Sequence, residues 1–196
     1  AAAIIIAGVV LSVLQMHPPA DSGFAAEWTV TLQEGRLWRT LQALAGGYLP
    51  LPAADLHYWN SLLLASSKRS LLLSLVAIAL AVLILGRFMW SSPPALLAFL
   101  LASVGMLVFF YVKYPGSLRH HGFLFIALIA SLWIAPFCEG WRRAPPLPKP
   151  WRAAASVAML GLLSVQAAAG VTALTLDYRY TFSSASRAAA KLAAVA

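Results

Sequence analysis

An arginine and two adjacent histidines, Arg119, His120 and His121, stand directly before a long apolar run in the stretch KYPGSLRHHGFLFIALIASLWIAPF. The preceding YPGSL predicts a turn, so we expect the triplet to open a helix. A helix N-terminus has unbonded N–H groups and a partial positive charge, and an arginine adds a planar fork that matches phosphate oxygens. Together with Lys113 on the other side of the turn, the triplet therefore predicts a binding site for a lipid phosphate or diphosphate at the membrane surface.

Two other interpretations of the triplet stay open. Arginine and histidine at a helix end are also common interfacial anchors that contact ordinary lipid headgroups. A metal site is disfavoured, because adjacent residues on a helix point about 100° apart and His17 and His57 are distant in the sequence. One of the two adjacent histidines could instead be an axial ligand to haem or chlorophyll.

The composition requires a lipid environment. The 196 residues are 61% hydrophobic and only 10% charged, with a mean hydropathy of +0.80, whereas a soluble domain carries about 25% charged residues. The net charge of +8 lies in loops and chain ends rather than on one basic face, which argues against nucleic acid as a partner and favours membrane lipids. The single cysteine, Cys138, excludes an internal disulfide.

Five apolar runs are predicted to cross the membrane as helices, because backbone groups in hydrocarbon must be hydrogen-bonded internally. Their boundaries are 1–16, 70–90, 94–112, 121–137 and 153–176. The first run is short for a span of about 20 residues, so we expect the chain to begin inside a helix and to be a fragment of a longer protein. The predicted fold class is all-α, a polytopic transmembrane bundle of about five spans over 1–177, with 178–196 as the start of an external soluble segment.

The long loop 17–67 is predicted to hold an amphipathic helix that lies in the membrane interface. Three leucines, at positions 37, 41 and 44, recur at helical spacing beside Trp38. The pair Gly46-Gly47 is expected to end this helix, and the segment that follows it is punctuated by prolines.

The fifth apolar run contains residues suited to contact with a neighbouring helix. Ser164 and Ala168 lie four residues apart, a spacing at which small residues allow two helices to approach closely. Gln166, near the centre of the same run, is expected to face protein rather than lipid, because hydrocarbon offers its amide no hydrogen-bond partner.

The distribution of basic residues predicts the orientation. The densest basic loop, 139–152, is placed in the cytoplasm, which puts the loop 17–67, the turn 113–121 and the C-terminal tail outside. Lys68, Arg69, Lys113 and Arg119 then lie on the outer side, against the positive-inside rule. Cations on that side need a reason other than membrane orientation, and binding of an anion is one such reason.

Carboxylates of the long loop are the candidates for acid–base chemistry. Asp21 and Asp55 could act as a general base or bind a divalent ion, and the alternative is that they are solvated loop residues. The sequence contains no Gly-rich phosphate loop, no Ser-His-Asp spacing and no nucleotide fingerprint. The catalytic residues therefore stay unknown, no cofactor is predicted, and a divalent metal stays open.

The order of these parts resembles the C-terminal half of bacterial polytopic glycosyltransferases of the GT-C type, the mannosyltransferase-like superfamily. The resemblance lies in YLPLPAADLHYWN leading into a span, GSLRHHGFLF after a tight turn, a proline-rich basic loop, and DYRYTFSSASRAAAKLAA after the last span. It covers most of the chain as an order of elements and includes no diagnostic catalytic signature.

The resemblance implies transfer of a sugar from a polyprenyl-phosphate carrier at the outer face of the bacterial inner membrane. In this family catalysis typically uses an acidic residue of the first external loop, a region expected to precede this fragment, so no catalytic residue is carried over. The part assigned to this chain is contact with the lipid carrier through Lys113, Arg119, His120 and His121. The alternative is a non-catalytic subunit of a larger respiratory or photosynthetic membrane complex, with protein partners in the membrane and a histidine-ligated cofactor.

Overall fold

The computed structural model describes residues 34–53, 61–114, 116–138 and 148–179, with a few isolated positions elsewhere, and the regular structure of these segments is entirely helical. The five helices are α1 (Glu34–Tyr48), α2 (Lys68–Met89), α3 (Pro93–Val112), α4 (Leu118–Ile134) and α5 (Lys149–Arg179). Single 3-10 turns cover Leu63–Ala65 before α2 and Ala135–Phe137 after α4.

Four of these helices, α2 to α5, are long and apolar enough to cross a membrane. They correspond to the predicted spans 70–90, 94–112, 121–137 and 153–176. The protein is therefore a multi-pass helical membrane protein. The longest helix, α5, continues to Arg179, three residues beyond the predicted end of its span. The first predicted span, 1–16, lies outside the described residues apart from Ala7, Leu11 and Leu14, which are helical.

Local signals explain where the spanning helices begin. The side chain of Ser67 caps α2, because its Oγ accepts a hydrogen bond from the backbone N–H of Ser70 at 3.1 Å. Two prolines occupy the first turn of α3, where their missing N–H groups cost no hydrogen bond. Only Trp90, Ser91 and Ser92 separate α2 from α3, so the two helices run antiparallel.

The helices α2 and α5 pack against each other, and both bury residues at seven-residue spacing. These are Leu71, Ile78 and Leu85 in α2, which also buries Ser74 and Met89, and Ala155, Leu162 and Ala169 in α5. This is the spacing of a coiled-coil seam. Ser164 and Ala168 are both exposed, so the prediction that they form the close helix contact is wrong for the described bundle. The physical reason is the phase of the helix, which turns a different set of positions towards α2.

The short helix α1 is the centre of the bundle. It contacts α4 most extensively, and α3 and α2 as well. Ala43 and Ala45 are fully buried, and Tyr48 is 1% exposed. Leu37 and Trp38, in contrast, remain exposed. The described part of the loop segment thus contains a helix, and the second half of this helix is enclosed by other helices.

The pair Gly46-Gly47 does not end α1, as the sequence suggested, but forms part of its last turn. A Cβ on Gly47 would lie 2.6 Å from the carbonyl oxygen of His121 and 3.2 Å from Leu124 Cβ. A Cβ on Gly46 would lie 2.8 Å from Leu118 Cδ1. The two glycines are therefore present because the backbones of α1 and α4 touch here.

The direction of α1 relative to the spans follows from its two ends. Near its start, the Arg36 guanidinium contacts the last carbonyl of α3, that of Val112. At its end, the Tyr48 hydroxyl donates to the carbonyl oxygen of Leu124 at 3.4 Å. Since Leu124 lies six residues into α4, α1 ends about 9 Å along that helix. The start of α2 lies at the end of the bundle where α1 begins.

Candidate functional site

The turn before α4 holds His120 in a capping position. Gly116 adopts a positive φ of 74°, which favours glycine, and reverses the chain. The backbone N–H of Ser117 donates to His120 Nδ1 at 3.0 Å, and Ser117 Oγ lies 2.8 Å from the same nitrogen. Because Nδ1 accepts a hydrogen bond, the ring proton of the neutral histidine sits on Nε2. The imidazole also stacks edge-on with Tyr114, with ring centroids 5.6 Å apart.

His121 points in a different direction, into the packing between α1, α3 and α4. Its ring meets Phe110 edge-on, with centroids 5.4 Å apart. A Cβ on Gly46 would lie 3.0 Å from His121 Nδ1, and one on Gly116 would lie 3.3 Å from Nε2. The side chain of His121 therefore fills the space that these two glycines leave open.

Arg119 is exposed and lines a cleft of about 290 Å³ between α4, α5 and the segment that follows α1. The remaining lining residues are Pro50, Pro52, Leu118, Gln166, Ala169, Gly170 and Ala173. All of these except Gln166 are apolar. Over their described length, α4 and α5 scarcely touch each other, because α5 packs mainly on α2. The cleft therefore combines one cation, apolar walls and a gap between two spanning helices.

Lys113 lies at the end of α3, where its backbone closes the helix. Its carbonyl oxygen accepts a hydrogen bond from Arg36 Nη1 at 3.2 Å, and the carbonyl oxygen of Val112 accepts one from the same nitrogen at 2.8 Å. The Arg36 guanidinium thus satisfies carbonyl groups that have no partner within α3, and its positive charge complements the negative end of the helix dipole. The sequence pattern alone marks Arg36 only as a polar flank of an amphipathic helix.

The four residues predicted to bind lipid phosphate thus do not converge on one point. Arg119 lines the cleft, while His120 folds back on the turn and His121 packs inward. The cause is the helical geometry itself, since consecutive side chains diverge by about 100°. All four nevertheless lie at the same end of the bundle, together with Arg36 and the basic start of α2.

Gln166 joins α5 to the end of α1. Its Nε2 donates to the carbonyl oxygen of Gly47 at 2.9 Å and lies 3.5 Å from that of Tyr48. The last carbonyls of a helix have no partner within the helix, so this amide satisfies groups that are otherwise costly to bury. The prediction that Gln166 faces protein is confirmed. Its specific partners could not be predicted, because they lie more than a hundred residues away in the sequence.

The anchoring of Tyr48 completes the junction between α1 and the spans. Its ring meets Phe125 edge-on, with centroids 6.3 Å apart, and its hydroxyl donates to Leu124.

Several residues weighed for chemistry fall outside the described part of the chain. These are His17, Asp21, Asp55 and His57. The described residues define a multi-pass helical protein in which the second half of the short helix α1 is buried and Arg119 lines an apolar-walled cleft. No family model matches the sequence, and no curated protein or solved structure is significantly similar to it.

Proposed function

We propose that this chain is the membrane part of a glycosyltransferase that takes a sugar from a polyprenyl-phosphate carrier, and that the cleft beside Arg119 binds the carrier's phosphate. The observation that supports this most is the position of Arg119 in an apolar-walled cleft between two spanning helices that scarcely touch. A guanidinium binds phosphate oxygens through two parallel hydrogen bonds. The gap between α4 and α5 offers a prenyl chain a path from the bilayer into the cleft.

The placement of α1 supports a cleft that contains water. With α2 to α5 spanning the bilayer, α1 enters the hydrocarbon region from the same face to which the chain later returns. It is then a re-entrant helix rather than an interfacial one. Non-helical backbone at membrane depth is tolerated only where it is enclosed by protein or lines a hydrated cavity. Pro50 and Pro52, just after α1, line the cleft, so a polar headgroup can be accommodated there.

The orientation also favours an anionic ligand. With the loop 139–152 in the cytoplasm, the end of the bundle that carries Arg36, Lys68, Arg69 and Arg119 faces outwards. Such an excess of cations opposes the usual distribution across a bacterial inner membrane. Anion binding in the cleft gives Arg119 a role at this face, and the outer face is where lipid-linked sugars are consumed.

The chemistry assigned to Arg119 is stabilisation of the departing phosphate. When the bond between the anomeric carbon and the phosphate oxygen breaks, the electron pair stays on that oxygen and the phosphate gains negative charge. A cation fixed beside this oxygen lowers the energy of the transition state more than that of the bound substrate. The acceptor's nucleophilic oxygen forms the new bond to the same carbon, and its proton passes to a carboxylate that the family resemblance places in another external loop.

Binding of undecaprenyl phosphate to the full chain in lipid nanodiscs tests the proposal. Arg119→Ala should weaken the affinity about 10- to 100-fold, because a hydrogen bond to a charged group contributes about 1.5–3 kcal/mol. Arg69→Ala is the matched control, since Arg69 is an exposed arginine in the first turn of α2, at the same end of the bundle, and does not line the cleft. Its affinity should change less than about two-fold.

Equal affinities in Arg119→Ala and the wild type would leave Arg119 as an interfacial anchor and would remove the proposal. A native mass spectrum and a visible spectrum of the same sample test the alternative function. Fixed protein partners with an absorbing cofactor, and no retained prenyl lipid, would identify a subunit of a larger membrane complex.

A further inference from the structure

A second polar side chain lines the same cleft, that of Gln166. Its amide orientation is fixed by its partners, since Gly47 and Tyr48 both present carbonyl oxygens and only Nε2 can donate to them. Oε1 is then on the other side of the amide carbon. It accepts no hydrogen bond from the described residues, and it is not among the buried atoms that lack a partner. Because Gln166 lines the cleft, Oε1 is an acceptor that a molecule in the cleft can reach.

We infer that Gln166 is a specificity-determining residue, whose Oε1 accepts a hydrogen bond from a hydroxyl of the sugar carried on the phosphate that Arg119 binds. This inference rests on the proposed function, and it adds the group that distinguishes a carrier with its sugar from a bare carrier. A prenyl chain has no hydrogen-bond donor, and an ionised phosphate ester offers mainly acceptors. The sugar supplies hydroxyl donors.

The size and lining of the cleft fit this assignment. About 290 Å³ is small for a cavity that binds organic ligands, so it suits a headgroup better than a long prenyl chain. The prenyl chain then extends from the cleft into the bilayer through the gap between α4 and α5. There Ala169, Gly170 and Ala173 present only small side chains on the surface of α5.

The position of Oε1 is held by the rest of the fold. The same amide is bonded through Nε2 to the end of α1, and α1 is fixed in turn by Tyr48 and by the contact of Gly47 with α4. An acceptor held in this way loses little conformational freedom on binding, so a single hydrogen bond gives selectivity at low entropic cost.

Two ligands measured side by side test the inference: undecaprenyl phosphate alone, and the same lipid carrying one hexose, with mannose, glucose and galactose compared. The wild type should bind at least one glycosylated form more tightly than the bare carrier. Gln166→Leu should lower the preference for that form over the bare carrier about 3- to 10-fold, the value of one neutral hydrogen bond. Any loss caused by the missing bond to the end of α1 should affect both ligands equally and leave this ratio unchanged. Monodeoxy analogues of the preferred sugar, tested on the wild type, should show the same loss at one hydroxyl.

Tyr48→Phe is the control for a structural role of Gln166. It weakens the same anchoring of α1 but keeps Oε1, so it should leave the preference for the glycosylated form intact. The inference is wrong if Gln166→Leu, like Tyr48→Phe, changes the affinities for the bare and the glycosylated carrier by the same factor. It is also wrong if no monodeoxy analogue binds the wild type more weakly than the complete sugar does. Failure of the proposed function has a different signature, since Arg119→Ala would then bind the bare carrier as well as the wild type does.

Discussion

The contact of Gly47 with α4 gives the sharpest prediction about stability, because the space for one methyl group can be read from the structure. Alanine at this position would put a Cβ 2.6 Å from the backbone oxygen of His121 and 3.2 Å from Leu124 Cβ. A backbone oxygen cannot rotate away, so α1 and α4 must separate. Overpacking of this kind costs about 1–3 kcal/mol, while alanine gains about 1 kcal/mol of helix propensity over glycine.

Two other glycines separate these contributions. A Cβ on Gly105 in α3 would meet nothing within 4 Å, so Gly105→Ala keeps the gain in propensity without the clash. Gly47→Ala should therefore be less stable than Gly105→Ala by about 1–3 kcal/mol. Gly46→Ala should fall between them, because the atoms it meets at 2.8 and 3.0 Å belong to the side chains of Leu118 and His121, which can move.

Reversible unfolding in mixed detergent micelles containing increasing SDS, followed by tryptophan fluorescence, measures the three free energies. Each variant replaces one glycine by alanine, so the effects of the micelle on the unfolded chains largely cancel when their free energies of unfolding are compared. Equal stability of Gly47→Ala and Gly105→Ala would mean that the backbones of α1 and α4 do not touch, and the account of the buried helix would have to be abandoned.

Two further predictions concern the helix ends. Arg36→Ala should speed hydrogen exchange in the last turn of α3 by about 5- to 30-fold, the equivalent of 1–2 kcal/mol for charge-assisted bonds to the carbonyls of Val112 and Lys113. Arg39→Ala, which replaces an exposed arginine of α1, should leave this exchange unchanged. Unchanged exchange in both variants would mean that Arg36 does not cap α3. His120→Ala should lower the free energy of unfolding by about 1 kcal/mol through loss of the cap on Ser117, and nitrogen NMR of the neutral wild-type ring should show the proton on Nε2, a proton on Nδ1 being incompatible with the hydrogen bond described.

Four of the five predicted spans correspond to helices that are long and apolar enough to cross a membrane, because their signal is local. Apolar runs long enough to cross a bilayer can form only a few structures, and positions such as Pro94 or Ser67 mark helix starts without knowledge of distant contacts. The seam between α2 and α5 was not predictable in the same way. Ser164 and Ala168 have the right residue types for close packing, but the choice of face depends on where the partner helix lies. Composition alone cannot supply that information.

Of the four residues predicted to bind a lipid phosphate, Arg119 lines the cleft, and binding of an anion there stays a prediction. Arg119 was selected because residue type and position next to an apolar run carry the signal for anion binding. The adjacent histidines share that local signal, yet their contacts with Ser117 and Phe110 depend on the turn and on α3. A triplet in sequence is thus one cleft residue, one cap and one packing residue in space.

The buried helix α1 links these observations into one argument about how the cleft is formed. In its second half, Ala43, Ala45 and the glycine pair allow close packing, the glycines directly against α4, and Tyr48 is buried at its end. α1 packs mainly on α4 and meets α5 through Gln166, which bonds the carbonyls at the end of α1. The cleft therefore occupies the space beside the end of a helix that stops partway through the bundle, and loosening α1 should change ligand binding even when no residue of the cleft is altered.

Gly47→Ala provides this case, because it displaces α1 while leaving Arg119 and Gln166 in the chain. We expect it to weaken binding of undecaprenyl phosphate in proportion to its loss of stability, a correlation that Gly105→Ala should not show.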